Sequence, residues 1–304
     1  MTLFPAPGST IFHQDGVLFG EHDIALANAF NDDPNGSSST LAIRNSGSWM
    51  SFDIETDRLV SIAATRRALF AMGRAGLILR VALPLPSDRP SVIQRISMFV
   101  ISEVHSTGEL VRCRAIGDVA FAVGQCGQVY RLTGQGFDEF SFGLRGDDGP
   151  DFEDVGGVDE SLLYACGIGG AVFRFDGTRW ERLDAPTDAN LSGVLVESAR
   201  SVYFCGDGGL LLHLLDGRWQ VHEGPADRNY WDICSFRGTP VLAHSSGIDR
   251  FDGLAIQPFD AQPSPHNTFN HLHASGGRLL SIGPDDLFVI EAGSVQAIAV
   301  PGRP

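Results

Sequence analysis

Apolar and polar positions along the chain follow a strand–turn–strand rhythm that is clearest between Ser201 and Trp219. The apolar run Val202-Tyr203-Phe204-Cys205 closes on Gly206-Asp207-Gly208-Gly209. A second run, Leu210 to Leu215, closes on Asp216-Gly217 ahead of Arg218-Trp219. Short apolar runs rich in β-formers and bounded by glycine turns read as strands. Asp-Gly between two such runs predicts a hairpin, because a type I′ turn needs φ > 0 at both central residues. Three strands are therefore predicted within this one stretch.

The unit recurs along the chain. The glycine-closed apolar run appears as Val17-Leu18-Phe19-Gly20, Leu69-Phe70-Ala71-Met72-Gly73, Phe121-Ala122-Val123-Gly124, Tyr164-Ala165-Cys166-Gly167 and Tyr203-Phe204-Cys205-Gly206. It continues as Val241-Leu242-Ala243-His244, with histidine in the glycine's place, and Leu280-Ser281-Ile282-Gly283. A second glycine follows three residues later in most copies (Gly76, Gly127, Gly170, Gly209, Gly247), and a hairpin turn after that at Gly134, Gly177, Gly217, Gly253 or Gly293. Another short strand precedes each run, as in Leu59-Val60-Ser61-Ile62 or Trp231-Asp232-Ile233-Cys234. Each repeat is then four antiparallel strands, A to D, of about 40 residues, which is the signature of a propeller blade. The fold predicted is all-β: a seven-bladed β-propeller in one domain over 1–304. Its blades fall near 10–56, 57–108, 109–150, 151–190, 191–228, 229–268 and 269–304. Six blades with residues 10–56 as an irregular cap is the alternative.

Composition narrows the function. The 304 residues carry a net charge of −15, and every one of the 22 cations is arginine. Such a surface repels phosphate backbones, so nucleic acid is not an expected partner. It favours a cationic partner by long-range steering. The five cysteines form no CxxC pair, and Cys166 and Cys205 occupy a repeat position that Met72, Val123 and Ile282 fill elsewhere. That pattern reads as small core hydrophobes, not metal ligands or disulfides. No signal peptide is apparent at the N-terminus, and no apolar run approaches the length of a spanning helix. A reduced, cytoplasmic protein without membrane insertion or cofactor is expected.

The blade text Tyr203-Phe204-Cys205-Gly206-Asp207-Gly208-Gly209, with Leu214-Leu215-Asp216-Gly217-Arg218-Trp219, resembles a bacterial propeller superfamily. Its blades read VGxxGxIxRxxGxxW, and it includes the photosystem II assembly factor and sialidase-like repeat proteins. The resemblance covers residues 57–300 well and 10–56 poorly, and it implies fold, not chemistry. In Asp176-Gly177-Thr178-Arg179-Trp180 the aspartate and glycine are adjacent, so the sialidase Asp-box is absent. Of the tyrosines, Tyr130, Tyr164 and Tyr203 fall inside repeat strands and only Tyr230 outside.

Long, varied D–A connections are read at Leu83 to Glu109, Asp138 to Asp151, Leu183 to Leu191, His222 to Asn229 and Phe259 to Phe269. The first unit's insertion, Glu21 to Thr40, is placed on the same face. Insertions gathered on one face mark the binding face of a repeat protein. There, residues 138–160 hold nine carboxylates, among them Asp147, Asp148, Asp151, Glu153 and Asp154, against the single Arg145. A solvated charged loop is the plain reading; recognition of a basic surface is the functional one. Asp147-Asp148-Gly149-Pro150-Asp151 lacks the alternation of an EF-hand loop, so no metal is assigned. Asp227, Arg228 and Tyr230 form a second candidate contact, with Trp231 expected to pack between blades. His266 and Phe269 form a third, while His271 and His273, alternating on one strand face, are expected to line the central channel.

These residues predict a non-enzymatic protein-binding propeller. Its concrete form is an immunity (antitoxin) protein that neutralises a cationic bacterial toxin, such as a nuclease, by occluding its active site. The alternatives are a glycoside hydrolase or lyase working at the channel mouth, and an assembly or scaffold factor.

Overall fold

The computed structural model describes residues 11–30, 38–262 and 270–300. They form seven four-stranded antiparallel sheets over 11–54, 59–100, 110–139, 152–182, 191–223, 230–258 and 271–297. Each sheet is built from consecutive strands, so every blade is a local meander. The seven first strands (A) pack beside one another in a ring around a central channel. The first unit is a full blade and not a cap. The only helices among the described residues beyond single 3-10 turns are Arg89–Ile93 and Val104–Thr107.

Where a glycine closes the B strand, as at Gly124, Gly167 and Gly206, it is required by proximity. A Cβ on Gly167 would sit 1.9 Å from the Asp151 carbonyl oxygen; on Gly206, 2.0 Å from that of Asn190. Gly167 is itself extended, with φ −176°, so the constraint is space and not backbone conformation. Three residues on, Gly170 and Gly209 have φ of 69° and 75°, the left-handed region that glycine enters without strain.

Two expectations are corrected by strand order. Val17-Leu18-Phe19 ends the A strand Ile11–Phe19 of the first blade, and its B strand is Asp23–Phe30. Gly20 lies in the A–B turn, and Glu21 to Thr40 is not one insertion, because the B strand Asp23–Phe30 lies within it. Likewise, 83–109 is not one D–A connection. It contains the D strand Ile96–Val100, so 83–95 is a C–D insertion on the opposite face and only 101–109 joins blades two and three. That strand alternates no apolar face into the core, with Met98 and Val100 at 68% and 51% exposure, and so left no periodic signal.

Apolar side chains fill the gaps between blades. Between the third and fourth, Phe121, Val123, Phe152, Leu163, Phe175 and Trp180 form one such layer. Cys166 and Cys205 are buried and unpaired, as the repeat implies. Packing also closes the ring: Leu18, Ile24 and Leu26 of the first blade meet Leu280, Ile282 and Leu287 of the seventh. The Leu18 N–H donates to His273 Nδ1 at 3.1 Å across the same seam.

Candidate functional site

The A strands carry a recurrent β-bulge, at His13/Asp15, Leu59/Ser61, Phe152/Asp154, Leu191/Gly193 and Tyr230/Asp232. Three of the residues that follow it are aspartates with the same job. Asp15, Asp154 and Asp232 each accept the next residue's N–H and one from the A strand of the following blade. Those second donors are Ile62, Val194 and Leu272, each at 3.1 Å. These carboxylates staple neighbouring blades at the channel wall.

Arg114 joins two of the staples across the channel. Its guanidinium binds Asp154 through Nε at 2.9 Å and Nη2 at 3.1 Å, and reaches Asp232 Oδ1 at 2.5 Å. Both carboxylates have 0% side-chain exposure. Burial alone pushes the Asp232 carboxyl up, but Arg114, the hydrogen bond with His271 and Arg112 together outweigh it and hold the group well below the usual carboxylate range. His271 stands beside Asp232 at 3.6 Å and shares a 2.7 Å hydrogen bond with Arg112. His273 lies deeper, where burial and then the Arg114 charge lower its imidazole to about 4. Both histidines line the channel, as expected from their alternation.

Above this network, on the face formed by D–A connections and B–C turns, the channel opens into a cavity of about 650 Å³. Its wall includes Arg112, Glu153, Ile168, Asn190, Asp207, Asn229, Trp231, Asn270 and His271. Burial raises the Glu153 carboxyl, and the nearby charges of Asp154, Asp151 and Asp207 add to the effect against the opposing Arg112. Among the described residues, no group of three or more His, Cys, Asp or Glu side chains is placed to hold a metal ion.

The structure separates the predicted contact residues. Asp147, Asp148, Asp151 and Asp227 are exposed on the long-loop face, and Asp151 accepts the Cys126 N–H at 2.9 Å. Glu153 is half-buried in the mouth. The nine-carboxylate segment does not act as one patch, because the A strand Phe152–Asp159 carries it through the ring. Asp159 and Glu160 therefore emerge on the opposite face, Asp138 pairs with Arg131 at 3.2 Å, and Glu139 with Arg145 at 3.8 Å. Asp154 is fully buried in the channel network and presents nothing to a partner.

Tyr230 is also corrected: it has 0% exposure, while Trp231 has 38%. The bulge is the reason. It puts Tyr230 and Ile233 into the same inter-blade core and turns Trp231 out to the mouth. The Tyr230 hydroxyl donates to Asp249 Oδ2 at 2.7 Å, and Arg228 pairs with the same oxygen, so both are spent on the fold. His266 and Phe269 lie outside the described residues.

Sequence reasoning missed the mouth residues Asn190, Asn229 and Trp231, although a signal existed. A short side-chain acceptor recurs just before the A strand. Asn190 and Asn229 accept the Gly169 and Gly208 N–H groups of the preceding blade's B–C turn at 3.0 Å, as Asp151 does for Cys126.

No family model matches the chain. Over 192 residues it is 30% identical to Immune protein Tsi7 of Pseudomonas aeruginosa, covering 60% of this chain and 61% of that protein. The chain thus spans less than two thirds of that relative's length. Among solved structures, the WD40 β-propeller domain of Doa1 superposes with TM-score 0.67 at 12% identity, covering 94% of this chain and 93% of that one. YCF48 bound to D1 peptide gives TM-score 0.64 at 14% identity, covering 96% and 93%. The chain is similar in fold to these propellers, and in sequence over part of its length to an immune protein.

Proposed function

We propose that this chain is a non-enzymatic, protein-binding propeller that acts as an immunity protein, holding a cationic toxin against its long-loop face and covering the toxin's active site. The observation that carries this reading is its 30% identity to an immune protein over 192 residues. The charge distribution supports it. Asp147, Asp148, Asp184, Asp188 and Asp227 project from the D–A connections. Three arginines of that face, Arg74, Arg145 and Arg228, stand beside Glu109, Glu139 and Asp249, while Arg58 meets the neutral Gln14 at 3.5 Å and Arg112 lies within the mouth. A net acidic face attracts a basic partner and speeds its docking. Unpaired cysteines suit action in a reducing compartment, and no described helix is long and apolar enough to cross a membrane.

The hydrolase alternative has one favourable feature, Glu153 and Asp207 in the same cavity. A tyrosine nucleophile does not fit, since Tyr130, Tyr164, Tyr203 and Tyr230 are all buried. The test is co-expression with the product of the adjoining gene. Restored growth, together with a complex that weakens as salt rises, is expected. Growth arrest that this chain does not relieve would remove the immunity reading.

A further inference from the structure

We infer that the channel-mouth cavity is a receptor for one long basic side chain, an arginine carried on a loop tip of the protein partner. This rests on the protein-binding reading above and names how that face grips its target. Three observations converge on it. First, the cavity is open and polar, and at about 650 Å³ it has room for a loop tip and not merely a single side chain. Second, neither Glu153 nor Asp207 is held in an ion pair among the described residues, and the charge of Arg112 acts on Glu153 only from a distance. Glu153 accepts no hydrogen bond from the described residues, and Asp207 is met by a neutral amide, Asn190 Nδ2 at 3.0 Å. The cavity's arginine, Arg112, is already engaged at the floor with His271 at 2.7 Å and lies 3.9 Å from Asp154. Third, the wall beside these carboxylates is apolar and exposed: Ile168 at 46% and Trp231 at 38%.

That combination matches the two halves of an arginine. Its methylene stem lies along apolar surface while its head seeks charge, and its flat guanidinium stacks on an indole face and forks onto a carboxylate. The raised Glu153 carboxyl fits the same picture: burial is its main cause, Arg112 opposes it, the charges of Asp154, Asp151 and Asp207 add to it, and a cation delivered there offsets both burial and repulsion. A carboxylate or phosphate guest would meet those groups with like charge.

The test uses the isolated full chain with N-acetyl-arginine methylamide and its neutral isostere N-acetyl-citrulline methylamide, followed by tryptophan fluorescence and NMR shifts. Binding in the millimolar range is expected for arginine and at least about tenfold weaker for citrulline, as befits loss of one charge-assisted contact. Glu153→Gln, a near-isosteric change, and Trp231→Phe should each weaken the arginine probe. Asp227→Asn, on the same face but outside the cavity, should not. Equal binding of both probes, no binding of arginine, or full binding by Glu153→Gln would overturn the inference. Each of those outcomes leaves the protein-binding reading standing, whereas failure of the complex itself in the co-expression assay removes that reading first.

Discussion

Replacing Arg114 by Met should cost this protein about 3–5 kcal/mol. The guanidinium is the shared partner of two carboxylates, Asp154 and Asp232, that have no exposure to water. Truncating one side of a buried pair leaves its partner desolvated and uncompensated, which is the expensive case. Each carboxylate keeps two backbone donors, Val155 and Val194 for one, Ile233 and Leu272 for the other, which moderates the loss. Urea unfolding followed by tryptophan emission at pH 7 measures it. The pH dependence identifies the cause. Without Arg114, burial is opposed by His271 and Arg112 alone among the groups that lower Asp232, so its carboxyl rises and takes up a proton in the folded state more readily as pH falls. The difference between variant and parent should therefore shrink between about pH 6 and pH 4. In the parent, stability should fall over the same range. His273 is lowered to about 4 in the fold, so the unfolded chain binds a proton below about 6.5 while the folded chain does not. A loss under about 1 kcal/mol, or one independent of pH, would refute the claim that this network bears on folding.

Three further outcomes are expected. Cys113, Cys166 and Cys205 should resist a thiol reagent in the folded state while half-exposed Cys126 reacts first, because burial raises the buried thiols, Cys113 to about 12. Gly167→Ala should destabilise by about 3 kcal/mol, since backbone and not a movable side chain blocks the new methyl; Gly169→Ala, facing open space at φ 65°, should cost only about 1 kcal/mol. Tyr230→Phe should cost about 1–2 kcal/mol of stability through the lost donor to Asp249, with no change in partner affinity.

The seven-blade architecture was legible because its punctuation is a matter of packing. A glycine pressed against the carbonyl just before the A strand, and another in the left-handed turn, recur in most blades, so text and structure share a period. What failed to show has equally local reasons. A two-versus-one bulge reverses the alternation that assigned Tyr230 outward and Trp231 inward. The D strand Ile96–Val100 packs Ile96 and Phe99, three residues apart, partly against the core and exposes the rest, so it carries no two-residue apolar period and a C–D insertion was taken for an inter-blade connection. The channel network was invisible because its members meet only through ring closure: Arg114 and Asp232 are 118 residues apart. The acidic segment 138–160 read as one patch, since its passage through the ring leaves no mark on composition.

The most direct test of the proposed binding face is the association rate of the chain with the proposed basic partner at two salt concentrations, for the parent chain and for Asp147→Arg combined with Asp148→Arg. Both aspartates are exposed and have no ion pair among the described residues, so folding should change by less than about 0.5 kcal/mol. The double reversal should slow association by about tenfold or more at low salt and much less at high salt, with dissociation little altered. Rates that match the parent at both salt concentrations would contradict the account and move the interface to the opposite, C–D hairpin face.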